Sequence, residues 1–393
     1  MSIVLKLVGN TWENASRDKR ELSVFRELGY DVLVMAKGQP GDKGREEDVD
    51  GYCVFRYSTR PLGEKIPSSI NRFISLFTWA AEVRRIKPDI ISAHNLQPSL
   101  IVAWLSTWFQ INKPKLIYDS HEFELGNTFV TRRGMLRNFL VGKAEKFLMK
   151  HCVLSIMVND SIADEVQKIH KLKVRPLAVR NTPDYWEIDP AVCGQVRKKM
   201  LESVHAAGEQ VSFLVMYHGG VIRSRGIELI IEAIYALPDV GMIILGNGND
   251  TYLQELALLA AQKHIEKRII FHTAVPQNEL WKYIGAVDVE IAPVENKSKN
   301  HQFSLPNKFF ESIQSLTPVI TSDVPEMKRI VESYQIGLCC EAGNTESLRQ
   351  CIHRMKEDRA FYESCKKNLM AAKNELCWEN EKKKLSTALL EVL

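Results

Sequence analysis

Short apolar runs alternate with amphipathic stretches along almost the whole of this 393-residue chain. Residues 3–8 read as a buried strand, 18–28 as an amphipathic helix ended by Gly29, and 31–36 as the next strand, which together make a βαβ unit. The alternation continues through a helix near 75–86, a strand at 89–92, a helix near 99–109, a strand at 115–119, a helix at 137–150, a strand at 153–158 and a helix at 161–169. Strands separated by helices predict a parallel sheet covered on both faces. The pattern breaks after 180 and restarts with strands at 213–217, 242–245, 269–271, 289–291 and 318–321. The prediction is therefore α/β, with two doubly wound Rossmann-like domains, 1–175 and 211–375, joined by a connection at 176–210.

Two domains also suit a length beyond the roughly 100–200 residues of one domain. A net charge of +4 gives no reason to expect a nucleic-acid partner. Eight cysteines lack the paired spacing of a zinc site, so reduced, mostly buried thiols are expected. The run 1–9 has neither the long apolar core nor the cleavage site of a signal peptide, and no apolar run approaches the roughly 20 residues that span a bilayer. The expected location is cytoplasmic.

In open parallel sheets a ligand sits off the carboxyl ends of the strands, so the loops there are the place to look for chemistry. After the strand at 213–217 comes His218-Gly219-Gly220-Val221-Ile222-Arg223-Ser224-Arg225-Gly226, and a helix opens at once. Glycines allow close backbone approach, and a helix N-terminus beside two arginines suits a diphosphate. A plain strand-to-helix turn with solvated arginines is the other reading of the same residues. Further on, Leu305-Pro306-Asn307-Lys308-Phe309-Phe310-Glu311 opens a helix at 306 or 307 and holds Glu311 about one turn in. A carboxylate there is placed to accept from two adjacent sugar hydroxyls, ribose being the natural candidate, or is a surface carboxylate favoured by the helix dipole.

Taken in order, these stretches closely resemble glycosyltransferase family 4 (group 1), the retaining transferases of the GT-B fold. The likeness runs from Asn14–Arg17 through Tyr118-Asp119-Ser120-His121-Glu122, Gly219 to Gly226, Leu237-Pro238-Asp239, Leu245-Gly246-Asn247-Gly248 and Pro318 to Glu326, ending at Cys377-Trp378-Glu379-Asn380-Glu381. The resemblance implies two domains facing across a cleft, the first acceptor-side and the second holding the donor, with a C-terminal helix, 376–393, crossing back to pack on the first. It implies transfer from a nucleotide sugar to a glycan or lipid-linked saccharide, with retention and without a dedicated protein base, in cell-surface polysaccharide or glycoconjugate synthesis. The nucleotide sugar is a substrate, a UDP-sugar before a GDP-sugar, and no cofactor or metal is called for.

Carried over by motif, Arg225 contacts the donor diphosphate, Glu311 binds the ribose, and Gly219, Gly220 and Gly246 give close backbone approach. His272, Thr273 and Val275 border the nucleobase, and Pro306, Asn307 and Lys308 bind the donor. Arg223, Arg225, Lys308 and helix dipoles would stabilise the leaving phosphate. On the acceptor side stand Asn14, His94, His121 and Glu122, with His121 nearest the transferring sugar, although a lone histidine at a strand end is often structural. One departure is plain: where the family often carries a first glutamate eight residues before Glu311, this chain has Phe303. Either a subfamily with this pattern manages without it, or Lys308, Asn307 and nearby amides substitute. The departure also leaves open a non-catalytic partner of the same fold, while an epimerase or hydrolase acting on the nucleotide sugar would want further acid/base carboxylates, with only Glu122, Glu124 and Glu295 as candidates.

The tripeptide Asp48-Val49-Asp50 resembles a metal-binding Asp-x-Asp but reads as a solvated loop. Two basic, apolar segments, 60–77 and 132–150, suit either helix faces buried in the core with solvated lysines or an anionic membrane surface. The latter would place the protein peripherally on the inner face of the cytoplasmic membrane.

Overall fold

A computed structural model describes residues 2–12, 15–126, 132–296 and 298–393. Its contacts divide the chain into two compact units, Met1–Arg180 with Glu381–Leu393, and Asn181–Asn380. The first holds β1 (Ile3–Val8), β2 (Asp31–Lys37), β3 (Lys43–Val49), β4 (Tyr52–Tyr57), β5 (Ile90–His94), β6 (Lys115–Ser120), β7 (Cys152–Met157) and β8 (Leu177–Ala178). They form one sheet in the order β3-β4-β2-β1-β5-β6-β7-β8, parallel throughout except that β3 runs antiparallel to β4.

The β3–β4 hairpin corrects the loop expected around Asp48-Val49-Asp50. Asp48 and Val49 end β3, and Asp50 (φ 54°) with Gly51 (φ 75°) forms the turn. Asp-Gly is a strong hairpin signal, but β3 is an edge strand of mostly charged residues and shows no apolar alternation. The helix expected near 99–109 is also shorter: α3 runs Ile101–Ser106, and the segment 95–100 before it is kinked, with Gln97 extended (φ −118°, ψ 132°).

Right-handed crossovers put α1 (Ser16–Glu27) on one face of this sheet and α2 (Ser68–Ile86), α3 (Ile101–Ser106) and α4 (Arg132–Met149) on the other, because the chain steps one way from β1 to β2 and the opposite way from β4 to β7. The outer surface of α2 and α4 is not buried: Ile70, Phe73, Phe77, Met135, Leu136, Phe139 and Leu140 are exposed. The helix α5 (Asp160–His170) follows β7, capped by the Asn159 side chain.

In the second unit α6 (Pro190–Ala206) leads into β9 (Phe213–His218), α7 (Ile227–Tyr235), β10 (Val240–Leu245), α8 (Asp250–Gln262), β11 (Ile269–His272) and α9 (Leu280–Ile284). There follow β12 (Val289–Ala292), α10 (Lys299–Gln302), α11 (Asn307–Gln314), β13 (Val319–Ser322), α12 (Pro325–Tyr334), β14 (Gly337–Cys340), α13 (Thr345–Glu357) and α14 (Arg359–Glu375). The six strands are all parallel, in the order β11-β10-β9-β12-β13-β14. Residues 181–210, expected as a connection, are counted with this unit. Met200 and Val204 of α6 pack on Leu214, Met216 and Ile243, and Arg197 pairs with Asp288 at 2.8 Å. The last helix, α15 (Trp378–Val392), passes from the second unit into the first. There Glu381 accepts from the Arg180 backbone N–H at 2.9 Å, and Lys115 donates to the Leu393 carbonyl at 2.7 Å.

Candidate functional site

In the first unit the strand register sets the site. Lys6 pairs with Ser92, and His94 with Asp119, so all four side chains emerge on the face covered by α1. Asp18 and Glu21, three residues apart on α1, meet them. Lys6, fully buried, contacts Glu21 and lies 3.1 Å from Asp18 and 3.3 Å from Asp119, while Arg17 donates to Asp119 at 2.7 Å and to the Val179 carbonyl at 2.8 Å. Burial opposes its charge, but the three carboxylates raise the Lys6 ammonium above its ordinary value. Against the same opposition, Lys6 and His94 hold Asp18 low, and Arg17, His121 and Lys6 hold Asp119 low. Glu21 goes the other way, pushed up to about 7 by burial, with Lys6 opposing and Asp119 adding to the rise.

Two histidines close this cluster. His94 Nδ1 lies 2.9 Å from Asp18, His121 Nε2 lies 2.8 Å from Asp119, and their rings stack with centroids 3.7 Å apart. Burial lowers the pKa of His121, with Asp119 opposing. His94 and His121, expected on one rim, thus lie side by side, while Glu122 stands exposed and its carboxylate takes no part in this network. Asn14 lies outside the described residues. Ligating atoms of Asp18, His94 and His121, and of Asp18, Glu21 and Asp119, lie within 4.8 Å of one another, a spacing that suits a metal ion. The Lys6 ammonium stands among these carboxylates as a fixed cation.

In the second unit the carboxyl ends of β9, β10 and β11 carry three loops tied to one another. Gly219 N–H donates to the Leu245 carbonyl, Gly246 N–H to the His272 carbonyl, and Ala274 N–H to Asn247 Oδ1, at 2.8–3.0 Å. A Cβ on Gly246 would sit 1.9 Å from the Gly219 carbonyl oxygen, so Gly246 is needed for loop-to-loop contact. Gly219 takes φ 108°, and Gly220 faces open space. His272 bonds the Thr273 carbonyl and packs on Tyr283, Thr273 is exposed, and Val275 is half-buried.

Helix α11 begins after Pro306 and sets Lys308 and Glu311 three residues apart on one face. Glu311 is buried, not a solvated surface carboxylate. Its Oε2 lies 2.8 Å from His218 Nε2, and His218 Nδ1 lies 2.8 Å from Glu290 Oε1. Burial works against the His218 charge, but Glu290 and the hydrogen bonds to both carboxylates prevail and push the imidazole up to about 9. The Lys308 amine lies 3.4 Å from the centre of the Tyr217 ring and, although buried, has no hydrogen-bond partner among the described residues. Burial pulls it down to about 7, with Glu290 opposing and the Arg225 charge adding to the fall. Arg225 itself is exposed, and Arg223 is engaged elsewhere, by Glu255 and over the Tyr252 ring. Asn307, also exposed, accepts from Asn181 at 2.8 Å. Beside this cluster a cavity of about 510 Å³ is lined by Ser224, Gly226, Pro293, Glu295 and Gly343 among others.

Sequence reasoning missed Lys6, Asp18 and Glu21 in one unit and His218 with Glu290 in the other. The signal was there: Lys6 interrupts the apolar strand 3–8 and Glu290 the apolar strand 289–292, and a charge inside a buried strand requires a partner.

The glycosyl transferases group 1 model matches residues 205–371, and the Glycosyltransferase Family 4 model matches 22–180. A lipopolysaccharide core biosynthesis glycosyltransferase of Rhizobium meliloti is 26% identical over 148 residues, 38% of this chain and 41% of that protein. A D-inositol 3-phosphate glycosyltransferase of Xylanimonas cellulosilytica is 29% identical over 121 residues, 30% of this chain and 28% of that protein. The chain thus matches less than half the length of either relative. Among solved structures, Anabaena HepE in complex with UDP superposes with TM-score 0.75 at 15% identity over 100% of both chains. The same protein with UDP-glucose gives 0.74 at 15% identity over 99% of both. A sucrose-phosphate synthase from Thermosynechococcus elongatus gives 0.74 at 15% identity, over 100% of this chain and 99% of that one. With one family model on each unit and the fold shared end to end, the chain belongs to the group 1, family 4 glycosyltransferases of the GT-B fold.

Proposed function

We propose that this protein moves a sugar from a nucleoside-diphosphate sugar, a UDP-sugar before a GDP-sugar, to a glycan or lipid-linked saccharide with retention of anomeric configuration, in cell-surface polysaccharide or glycoconjugate synthesis. The observation that carries this reading is the Lys308 amine, a buried cation with no hydrogen-bond partner beside the Gly219 turn. Such a group is costly to bury until an anion reaches it, and a diphosphate is the anion this fold's strand-end loops accommodate. The UDP and UDP-glucose bound by HepE support the donor class, and the rhizobial relative supports a glycoconjugate product.

In this reading Lys308 and Arg225 hold the diphosphate and stabilise charge on the departing β-phosphate, the largest protein contribution in a front-face mechanism without a base. Glu311 accepts from the ribose, the 272–275 loop borders the base, and His121 and His94 serve the acceptor side. Thermal stabilisation by a panel of UDP, GDP, CMP and ADP sugars tests this, with Lys308→Ala and Glu311→Ala beside the wild type. A selective shift lost in both variants is expected, and no shift with any nucleotide overturns it. Phe303, where a carboxylate is common in the family, favours a non-catalytic partner as the second reading. Sugar transfer abolished by Glu311→Ala excludes that.

The membrane part of the proposal rests on the helix layer α2–α4. Its exposed Ile70, Phe73, Phe77, Met135, Leu136, Phe139 and Leu140 lie among Arg72, Arg137, Lys143 and Lys146, a composition that suits the headgroup boundary of an anionic bilayer. No helix among the described residues is long and apolar enough to cross a membrane, so the contact proposed is peripheral. Flotation with phosphatidylglycerol vesicles is expected, reduced by Phe73→Glu with Phe139→Glu. Absence of flotation sinks this part alone.

A further inference from the structure

The imidazole of His218 is 2% exposed, and both of its ring nitrogens face carboxylate oxygens at 2.8 Å, Glu290 on one side and Glu311 on the other. An imidazole can satisfy two ionised carboxylates only by donating from both nitrogens, as imidazolium, since a lone pair on either would face an oxygen lone pair. The residues come from β9, β12 and α11. Strand alternation puts His218 and Glu290 on one face of the sheet, where the register sets Glu290 opposite Met216. Glu290 is fully buried, its Oε1 also accepts from the His218 backbone N–H at 3.2 Å, and its Oε2 makes no hydrogen bond among the described residues. It is thus fixed and serves no ligand that reaches it from solvent. Glu311, at 8% exposed, is the member whose edge reaches the surface.

We infer that His218 is a positioning residue for the donor's ribose. Clamped by Glu290, it occupies Oε2 of Glu311 and thereby turns Oε1 outward as the acceptor for the ribose hydroxyls. The inference rests on the reading of Glu311 given above and adds a residue that acts only through it. A carboxylate held on one oxygen cannot swing to another partner, such as the nearby Lys308, whose charge would otherwise draw it.

The experiment compares UDP with 2′-deoxy-UDP by calorimetry on the full chain. Wild type is expected to bind the ribonucleotide at least tenfold more tightly. His218→Asn can place an amide near the Nδ1 position and keep Glu290 paired while releasing Glu311, and it should reduce the preference to about twofold or less. His218→Gln can place its amide near the Nε2 position, keep the bond to Glu311 and retain most of the preference. A role limited to stability would weaken both ligands equally in both variants. In a Glu311→Ala background, His218→Asn should change the preference no further. Wild type that binds neither nucleotide, or both alike, overturns the Glu311 reading together with this inference. Wild-type preference that survives in His218→Asn, or disappears equally in both His218 variants, overturns the inference alone.

Discussion

The two units each bury a knot of charge, and the knots differ in closure. In the first, Lys6, Arg17, Asp18, Glu21, Asp119 and both histidines satisfy one another. In the second, His218 satisfies Glu311 and one oxygen of Glu290, but the other Glu290 oxygen and the Lys308 amine are left over. A closed knot has little to offer a ligand beyond the shape of its rim, which here is the stacked histidine pair. In an open one an incoming group can supply the missing partner: the spare Glu290 oxygen is fully buried and out of a ligand's reach, so the group left to be met is the Lys308 amine beside the Gly219 turn, which specifies an anion.

If the first knot is closed, removing its central cation should be the most damaging change in either unit. Lys6→Met leaves three buried carboxylates facing one another and is expected to cost about 3–5 kcal/mol of folding stability, read by urea denaturation. A loss below about 1 kcal/mol would show that the carboxylates relax toward Arg17 and that the knot is less closed than its distances suggest.

If the second knot is open, Lys308→Met should do the opposite to stability while damaging binding. Loss of a charge-assisted contact of about 1.5–3 kcal/mol predicts donor affinity reduced on the order of 10- to 100-fold. The ligand-free protein should become more stable at pH 6, by up to roughly 1.4 kcal/mol for each pH unit by which burial depresses the amine. The sign follows from the pKa. A lysine depressed to about 7 carries its full burial cost below pH 7 and is relieved of it as pH rises toward the ordinary 10.5, so the gain from Lys308→Met should shrink above pH 7. Binding of UDP-glucose, whose phosphates do not titrate in this range, should recharge the amine and take up a proton above pH 7. Calorimetry in buffers of different ionisation enthalpy reads this directly, and pH-independent binding without proton uptake would mean that Lys308 does not meet the diphosphate.

The smallest effect sharpens the first knot from within. Glu21, raised to about 7, binds a proton more tightly folded than unfolded, so its stabilising contribution is present at acid pH and is lost as pH rises from about 4.5 through 7. Glu21→Gln, which resembles the protonated acid, should change stability by about 1 kcal/mol or less and flatten that slope. A denaturation midpoint with an unchanged slope between pH 5 and 7 would place the titration elsewhere.

The legibility of the chain follows the same division. Apolar strands such as 3–8 and 213–217, and the helix carrying Glu311, could be read because periodicity and turn residues are local properties. The β3–β4 hairpin could not be read from periodicity, since an edge strand of lysine, arginine and glutamate buries almost nothing. Nor could 181–210 be assigned to its unit, because what binds it there, such as Arg197 to Asp288, spans a long sequence separation. At the candidate site the family pattern marked Lys308, Glu311 and His121 but also Arg223, which the structure engages with Glu255. His218 escaped notice because its partners, 72 and 93 residues away, become neighbours only through the strand order β9-β12 and the start of α11.

Because the Glu290 carboxylate sits fully buried in a central strand and, among the described residues, hydrogen-bonds only to His218, the two positions are expected to change together. Among descendants of this sequence, an apolar residue at 290 should appear only where 218 has also lost its imidazole, and lineages carrying one without the other should be short-lived.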